Sequence, residues 1–402
     1  MTLRYLTAGE SHGPALMGIL EGLPAGIPVT SDDLQEQLTR RRLGHGRSPR
    51  MQFEADRFEI LGGVRHGRTL GSPVGVVIHN TEWPKWTEAM AVDPPADPDA
   101  VAATGRGAPL TRPRPGHADL AGMQKYGFDD ARDVLERASA RETAARVALA
   151  AFARRLLAEL DIHVVSHVVQ IGSEAVAAEL PPPGPGDTDR IDADAVRCAD
   201  PDASARMQAH IDRAKADNDT LGGVVEILVY GLPPGLGSHV HWERKLDARL
   251  AQGLMSVQSV KAVEVGDGLA TAGVPGSQAH DEIEPDQGGT GGFRRRTGHA
   301  GGIEGGMSTG ELLRVRAAMK PISSLTRPLS TVDTVTGEPA VAITQRSDTC
   351  AVPRGGVVFE AVVAHTICDA LLEKTGGDHL DEVRRNLDAY TADVARRTGG
   401  GG

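Results

Sequence analysis

The chain has 402 residues, 40% of them hydrophobic and 24% charged, with a formal net charge of −11. This is an ordinary globular composition, and its acidic balance argues against nucleic-acid or membrane-surface partners, which draw phosphates with a basic excess. Aromatic residues are only 3%, so the interior is expected to rest on Val, Leu, Ile and Ala, and 49 Gly with 25 Pro imply many shaped loops.

Taken in chain order, the first motif is Gly9 to Gly13, GESHG. It matches the G-x-S-x-G of a nucleophile elbow formally, but Pro14 follows where a helix should begin. Ser11 and His12 are also adjacent, so their side chains point apart and a serine–histidine pair is disfavoured. A helix is expected over Ser31 to Arg42, opening a cluster formed by Arg40, Arg41, Arg42, Arg47 and Arg50. A strand follows at Val74 to Ile78, then a Pro- and Asp-rich stretch at Ala96 to Pro109 that reads as structureless. A second cluster holds Arg106, Arg112 and Arg114. RPRPGHAD, from Arg112 to Asp119, sets His117 in a loop stiffened by two prolines, which suits a group that must meet a reacting atom and titrates near neutrality.

A long Ala/Leu-rich helix is expected from Ser139 to Leu160. Ser139 and Glu142 stand as a capping box, and Arg141 sits at the helix's positive end, where anions are favoured. Strands are expected at His163 to Gln170, Gly223 to Val229, Val260 to Val265, Leu312 to Met319 and Ala340 to Thr344. Helices are expected at Leu246 to Val257, Val357 to Lys374 and Leu380 to Val394. Pro181 to Asp194 reads as structureless, and the glycine-crowded Gly288 to Gly310 as a long functional loop; the latter contains a third cluster, Arg294 to Arg296. KPISS, Lys320 to Ser324, brings an ammonium and two hydroxyls to a strand end, and RSD, Arg346 to Asp348, a cation and a carboxylate.

Strands and helices do not alternate regularly, so the fold class is α+β with antiparallel sheets. A single domain over residues 1–390 with a flexible tail at 391–402 fits the uniform composition. Cys198, Cys350 and Cys368 lack metal-ligand or redox-pair spacing, which reads as a reducing, cytoplasmic setting. No signal peptide and no 18-residue apolar run is evident, so no membrane span is expected. Neither a Walker loop nor a G-x-G-x-x-G fingerprint occurs. His239 and His241 lack a third ligand, so no metal is expected.

Several ordered blocks carry a resemblance: GESHGPALMGILEGLP (Gly9 to Pro24), ERASARETAARVALAAF (Glu136 to Phe152) and RSDTCAVPRGGVVFEAV (Arg346 to Val362). RRRLGHGRSPRM, TRPRPGHAD, NDTLGGVVE, GGIEGGM and RVRAAMKPIS agree in the same order. From Leu3 to about Ala389 the chain resembles the chorismate synthase family. The resemblance implies a layered β-α-β sandwich of antiparallel four-stranded sheets around long helices, assembled as a homotetramer. It implies a carbon–oxygen lyase that eliminates phosphate from 5-enolpyruvylshikimate-3-phosphate in the 1,4-anti sense, giving chorismate, and that requires reduced FMN without net redox change.

Roles carry over by position. Arg41, Arg47, Arg50, Arg114 and Arg141 resemble the clamp for phosphate and carboxylates, suited to guanidinium forks. His12 resembles the family histidine that protonates the departing phosphate, and His117 the one facing the flavin, with Ser11 and Ser139 supporting them. Asp348 resembles the carboxylate that manages the flavin N5 proton, with Arg346 beside it. Arg137, Ala138, Ser139, Gln258, Ser259, Gly305 and Lys320, Pro321, Ile322, Ser323 and Ser324 match flavin-lining stretches. The family also has an NADP contact at the positions of Arg41 and Arg47, and a separate flavin reductase is a possible partner. Ser48-Pro49, Ser259, Gly298-His299 and Thr349 depart from the family pattern. Two rivals stand beside this reading: a serine hydrolase using Ser11, and a non-enzymatic flavin- or anion-binding module.

Overall fold

Short Val- and Ile-rich segments pair into two main antiparallel sheets, with four smaller ones beside them among the described residues. The computed structural model describes residues 3–46, 56–286, 288–327, 329–344 and 348–398. In the first sheet the strands lie in the order Arg4–Ala8, Ala15–Glu21, Val74–His79, Phe58–Gly62. Its inner face follows from a period of two: Leu16, Gly18 and Leu20 are buried while Met17 and Ile19 face out. Gly18 has to be small, because a Cβ there would come within 2.7 Å of Leu149 on the overlying helix.

The second sheet runs Val260–Val265, Leu313–Met319, Gly223–Tyr230, His163–Ile171, Glu174–Ala175. It has five strands where the resemblance implied four. The fifth is a two-residue return after Gly172, whose φ of 57° allows the turn. The expected strand at Ala340 to Thr344 is instead Pro339–Val341, paired outside both sheets with Ser330–Val332.

Two long helices, Thr143–Ala158 and Val352–Thr375, pack on each other between the sheets. The first lies on the four-stranded sheet and the second on strands His163–Ile171 and Gly223–Tyr230. Both are apolar nearly all round because both are enclosed. Val352–Thr375 is long and apolar enough to cross a bilayer, contrary to the sequence expectation, but the window that qualifies is 89% buried in the fold. It begins five residues before the expected Val357. Pro353 is preorganised for a first helical turn, and the Gly355-Gly356 pair lets the helix lie flat on the sheet. A Cβ at Gly355 would come within 2.6 Å of Met319 Sδ.

The helix expected from Ser139 is broken there. A short helix, Arg132–Ala138, ends at an extended Ser139 (φ −63°, ψ 140°), a 3-10 turn follows over Ala140–Glu142, and the long helix starts at Thr143. Only half of the capping box forms: Ser139 Oγ accepts the Arg141 N–H at 3.2 Å, whereas the Glu142 carboxylate accepts from Thr7 Oγ1 at 2.7 Å and Arg146 Nε at 3.0 Å.

Elsewhere the expected loop at Ala96 to Pro109 contains the one-turn helix Pro98–Ala102, and Pro181 to Asp194 contains Thr188–Ala193. The last helix runs from Leu380 to Thr398, so residues 391–398 of the expected tail are helical. The glycine-rich segment holds three short strands: Phe293–Arg295, paired with Ile283–Pro285, and the hairpin Ile303–Glu304 with Met307–Ser308. All three cysteines are buried and unpaired.

A charged node ties the core together. Glu360, on the Val352–Thr375 helix, is 1% exposed and meets Arg40 NH1 at 2.7 Å, Arg154 NH1 at 3.0 Å and Arg197 NH2 at 3.1 Å. Ser166 Oγ donates to the same carboxylate at 2.7 Å, and Asp192 accepts from Arg40 Nε at 2.5 Å and Arg197 Nε at 2.9 Å. Burial pushes the Glu360 carboxyl upward, but Arg40, Arg154 and Arg197 together hold it well below the usual carboxylate range.

Candidate active site

Between the two sheets' edges lies a cavity of about 470 Å³. Its wall comes from seven separate stretches of the chain: the GESHG loop, Arg41, the RPRPGHAD loop, 135–143, 257–259, 319–324 and the start of the Val352–Thr375 helix. Thirteen of the residues singled out in the sequence line it: Ser11, His12, Arg41, Arg114, His117, Ala138, Ser139, Gln258, Ser259, Lys320, Ile322, Ser323 and Ser324.

His12 is held from two sides. Its Nδ1 is 2.9 Å from Glu136 Oε1, and its ring stacks on Trp86 with centroids 4.0 Å apart. Ser139 Oγ donates to Ser11 Oγ at 3.3 Å. None of the described hydrogen bonds joins Ser11 Oγ to an imidazole.

His117 follows Gly116, whose φ of 75° makes the turn that the preceding proline cannot. Its Nδ1 lies 2.5 Å from Asp119 Oδ1. Arg114, 6% exposed, donates through Nε to Asp119 Oδ2 at 2.9 Å and through NH1 to Ser324 Oγ at 2.8 Å, so one carboxylate orients both a histidine and a guanidinium. Burial pushes the Asp119 carboxyl up, and the bonds from His117 and Arg114 outweigh it, leaving the group far below the ordinary range. The Lys320 ammonium donates to the Gly116 carbonyl, and burial, then Lys261, holds it below its usual value.

Arg41 reaches the wall with Nε on Thr143 Oγ1 at 3.1 Å and NH2 on the Ala140 carbonyl at 3.1 Å. Asp348 is 4% exposed and does not itself line the cavity, but it meets Arg354 NH1 at 2.5 Å, and Arg354 does. Ser259 sits at φ 72°, left-handed backbone that is costly for a residue with a Cβ, and its carbonyl accepts the Lys320 N–H at 2.9 Å. Gln258 Nε2 is 3.4 Å from Glu142 Oε2, while its Oε1 is buried with no hydrogen-bond partner among the described residues. An acceptor so placed has desolvation to recover from a ligand N–H.

Other expected site residues stand apart from this wall. Arg137 donates to the carbonyls of Gly9 at 3.1 Å and Thr7 at 2.8 Å, bracing the GESHG loop. Arg141 pairs with Asp56 and, at 3.3 Å, with Asn80. Gly305 turns the Ile303–Ser308 hairpin, and Pro321 interrupts the lining run without belonging to it. Arg47, Arg50 and Arg346 lie outside the described residues. Among the described residues no group of three His, Cys, Asp or Glu side chains has metal-holding geometry.

Sequence reasoning missed Glu136, Asp119, Trp86 and Arg354. Asp119 had a local signal, an acid two residues after a histidine in a stiff loop. Glu136 had none, since it is 124 positions from His12.

The chain matches the family described as chorismate synthase over residues 3–372. Chorismate synthase of Frankia casuarinae is 64% identical over 98% of this chain and all of its own, and that of Streptomyces coelicolor is 62% identical over 96% of this chain and 98% of its own. A crystal structure of chorismate synthase superposes with a TM-score of 0.78 at 37% identity, covering 98% of this chain and 99% of that one. Matches of this extent, together with the cavity its motifs converge on, place this chain in the chorismate synthase family.

Proposed function

We propose that the cavity is where this chain carries out the chorismate synthase reaction, the 1,4-anti elimination of phosphate from 5-enolpyruvylshikimate-3-phosphate, with reduced FMN bound beside the substrate. The observation that carries the proposal is the convergence on one cavity of two imidazoles, each braced by a buried carboxylate, with Arg41, Arg114, Lys320 and Arg354. Such a site suits a small ligand bearing phosphate and carboxylate groups.

The residues also fit a flavin. Gln258 Oε1 is an orphaned acceptor for a ring N–H, Val257, Met319 and Ile322 offer apolar wall to a flat ring, and Ser323 and Ser324 offer hydroxyls. When bound, reduced flavin supplies an electron-rich ring beside the leaving phosphate. The protein's part is binding, proton handling and exclusion of water. The phosphate departs with the C–O bonding pair, the C–H pair of the ring carbon shifts through the ring double bond to complete the diene, and the released proton is taken up on the side of the cavity where His117 stands. In cationic His12 the N–H left over from Glu136 is on Nε2, and it protonates the phosphate. Arg114 and Lys320 offset its charge. Asp119 holds His117 toward the flavin side, Asp348 acts through Arg354, and Ser11 and Ser139 support His12.

The same reading includes the family's layered sandwich and a cytoplasmic homotetramer. The outward Leu6, Met17 and Ile19 of the first sheet, 73%, 44% and 46% exposed, give a second copy an apolar face to cover. Reduction of the flavin comes from NADPH bound at Arg41 and Arg47 or from a separate reductase.

An anaerobic phosphate-release assay with the enolpyruvyl substrate tests the reading. Release is expected with photoreduced FMN and not with oxidised FMN. Equal rates in the two conditions, or labelling of Ser11 by a serine-directed phosphonate with flavin-free turnover, would refute it.

A second expected outcome concerns Gln258. The Gln258→Leu variant removes the orphaned acceptor, so FMN should bind roughly tenfold or more weakly. Titration of flavin fluorescence checks this, and unchanged affinity would remove Gln258 from the flavin wall.

A further inference from the structure

Glu136 is a charged side chain only 2% exposed, on the short helix Arg132–Ala138. A buried carboxylate needs partners for both oxygens, and here both face His12. Oε1 and Oε2 lie 2.9 and 3.0 Å from Nδ1, and Oε2 also accepts the His12 backbone N–H at 2.8 Å. The Glu136 carbonyl accepts the Ser11 N–H at 2.9 Å, so one residue fixes loop and ring together. The nearest described cation to this carboxylate, Arg132 NH1, is 3.9 Å away, too far for a direct hydrogen bond.

The ring's face is fixed as well. Trp86 stacks on it at 24° between planes, and the Arg132 and Arg106 guanidinium carbons sit 5.5 and 5.8 Å from the Trp86 ring. Cations over an indole hold it in place.

We propose that Glu136 is a positioning residue for the elimination: it commits Nδ1–H of His12 to its own carboxylate, leaving Nε2 for the cavity, while Trp86 keeps the ring in plane. A carboxylate only accepts, so the proton of the neutral ring must sit on Nδ1, and holding the tautomer is how a buried acid aids a histidine without touching substrate. The proposal rests on the reading of this cavity as the elimination site.

The test uses the full-length chain with ¹⁵N-labelled histidine. In the ligand-free wild type at alkaline pH, the His12 signal, assigned by its loss in His12→Ala, should show Nδ1 protonated. Glu136→Gln keeps an acceptor and should keep this tautomer and much of the turnover. Glu136→Leu should show an Nε2–H population, with kcat down about 10²–10⁴-fold and KM and FMN binding near wild type. An Nε2–H tautomer in the wild type overturns the proposal whether or not Glu136→Leu folds. So does wild-type kcat in a folded Glu136→Leu variant. Full turnover by His12→Ala would instead sink the assigned role of His12, and the tautomer result would still decide what Glu136 does.

Discussion

Replacing His12 and His117 together by alanine is expected to lower kcat on the order of 10⁴-fold while FMN and substrate still bind. Each imidazole is worth about 10²–10⁴-fold if it moves a proton in the transition state. The two effects need not multiply, because groups acting on one event are not additive. Binding should survive because Arg41, Arg114, Lys320 and Gln258 remain on the wall. Single-turnover product formation read beside flavin fluorescence titration separates the outcomes. A variant that binds poorly but turns over normally once saturated would show the imidazoles to be binding groups only. One that keeps wild-type kcat would remove them from the chemistry.

The Glu360→Ala variant should be the largest loss of stability in the chain, about 3–5 kcal/mol, the usual result of leaving buried charges without their partner. Arg40, Arg154 and Arg197 would face one another with Asp192 as the acid still paired with Arg40 and Arg197, and Glu36 acting on Arg154 without a direct bond. Urea unfolding at neutral pH checks this, and an unchanged midpoint would contradict it. The pH dependence has a definite sign. The Glu360 carboxyl lies lower in the folded chain than in the unfolded one, because its three arginines outweigh burial. Its contribution is therefore complete above the unfolded value of about 4.3 and is lost as pH falls below that toward the folded value. As pH falls from about 4 toward about 2 the wild type should lose more of its stability than Glu360→Ala does.

Local pattern was legible and distance was not. The strand Val260–Val265 has the bounds its alternation implied, and the cores of both long helices were readable from apolar spacing. Errors fell where tertiary contact overrode local rules. The helix expected from Val357 starts at Val352, with Gly355 and Gly356 packed against Met319 and Ser166, and Ser139 looks like the start of one helix although the chain breaks there between Arg132–Ala138 and Ala140–Glu142. The fifth strand is two residues long, below what periodicity can detect.

For the site, the sequence pointed to the imidazoles and most of the cations, since Pro-, Gly- and Arg-rich loops announce themselves. It was silent on what orients them. Glu136, Asp119 and Arg354 act through partners brought near by the fold, and Trp86 through stacking. Residues that shape another residue's chemistry leave no motif of their own unless, as with His117 and Asp119, both sit in one loop.

The most direct measurement of the central claim is a crystal structure of the chain with FMN and the enolpyruvyl substrate bound. Both ligands are predicted to fill the cavity bounded by His12, His117, Arg114, Gln258 and Ser323. Flavin and substrate bound away from that cavity, or in two separate places, would contradict the account.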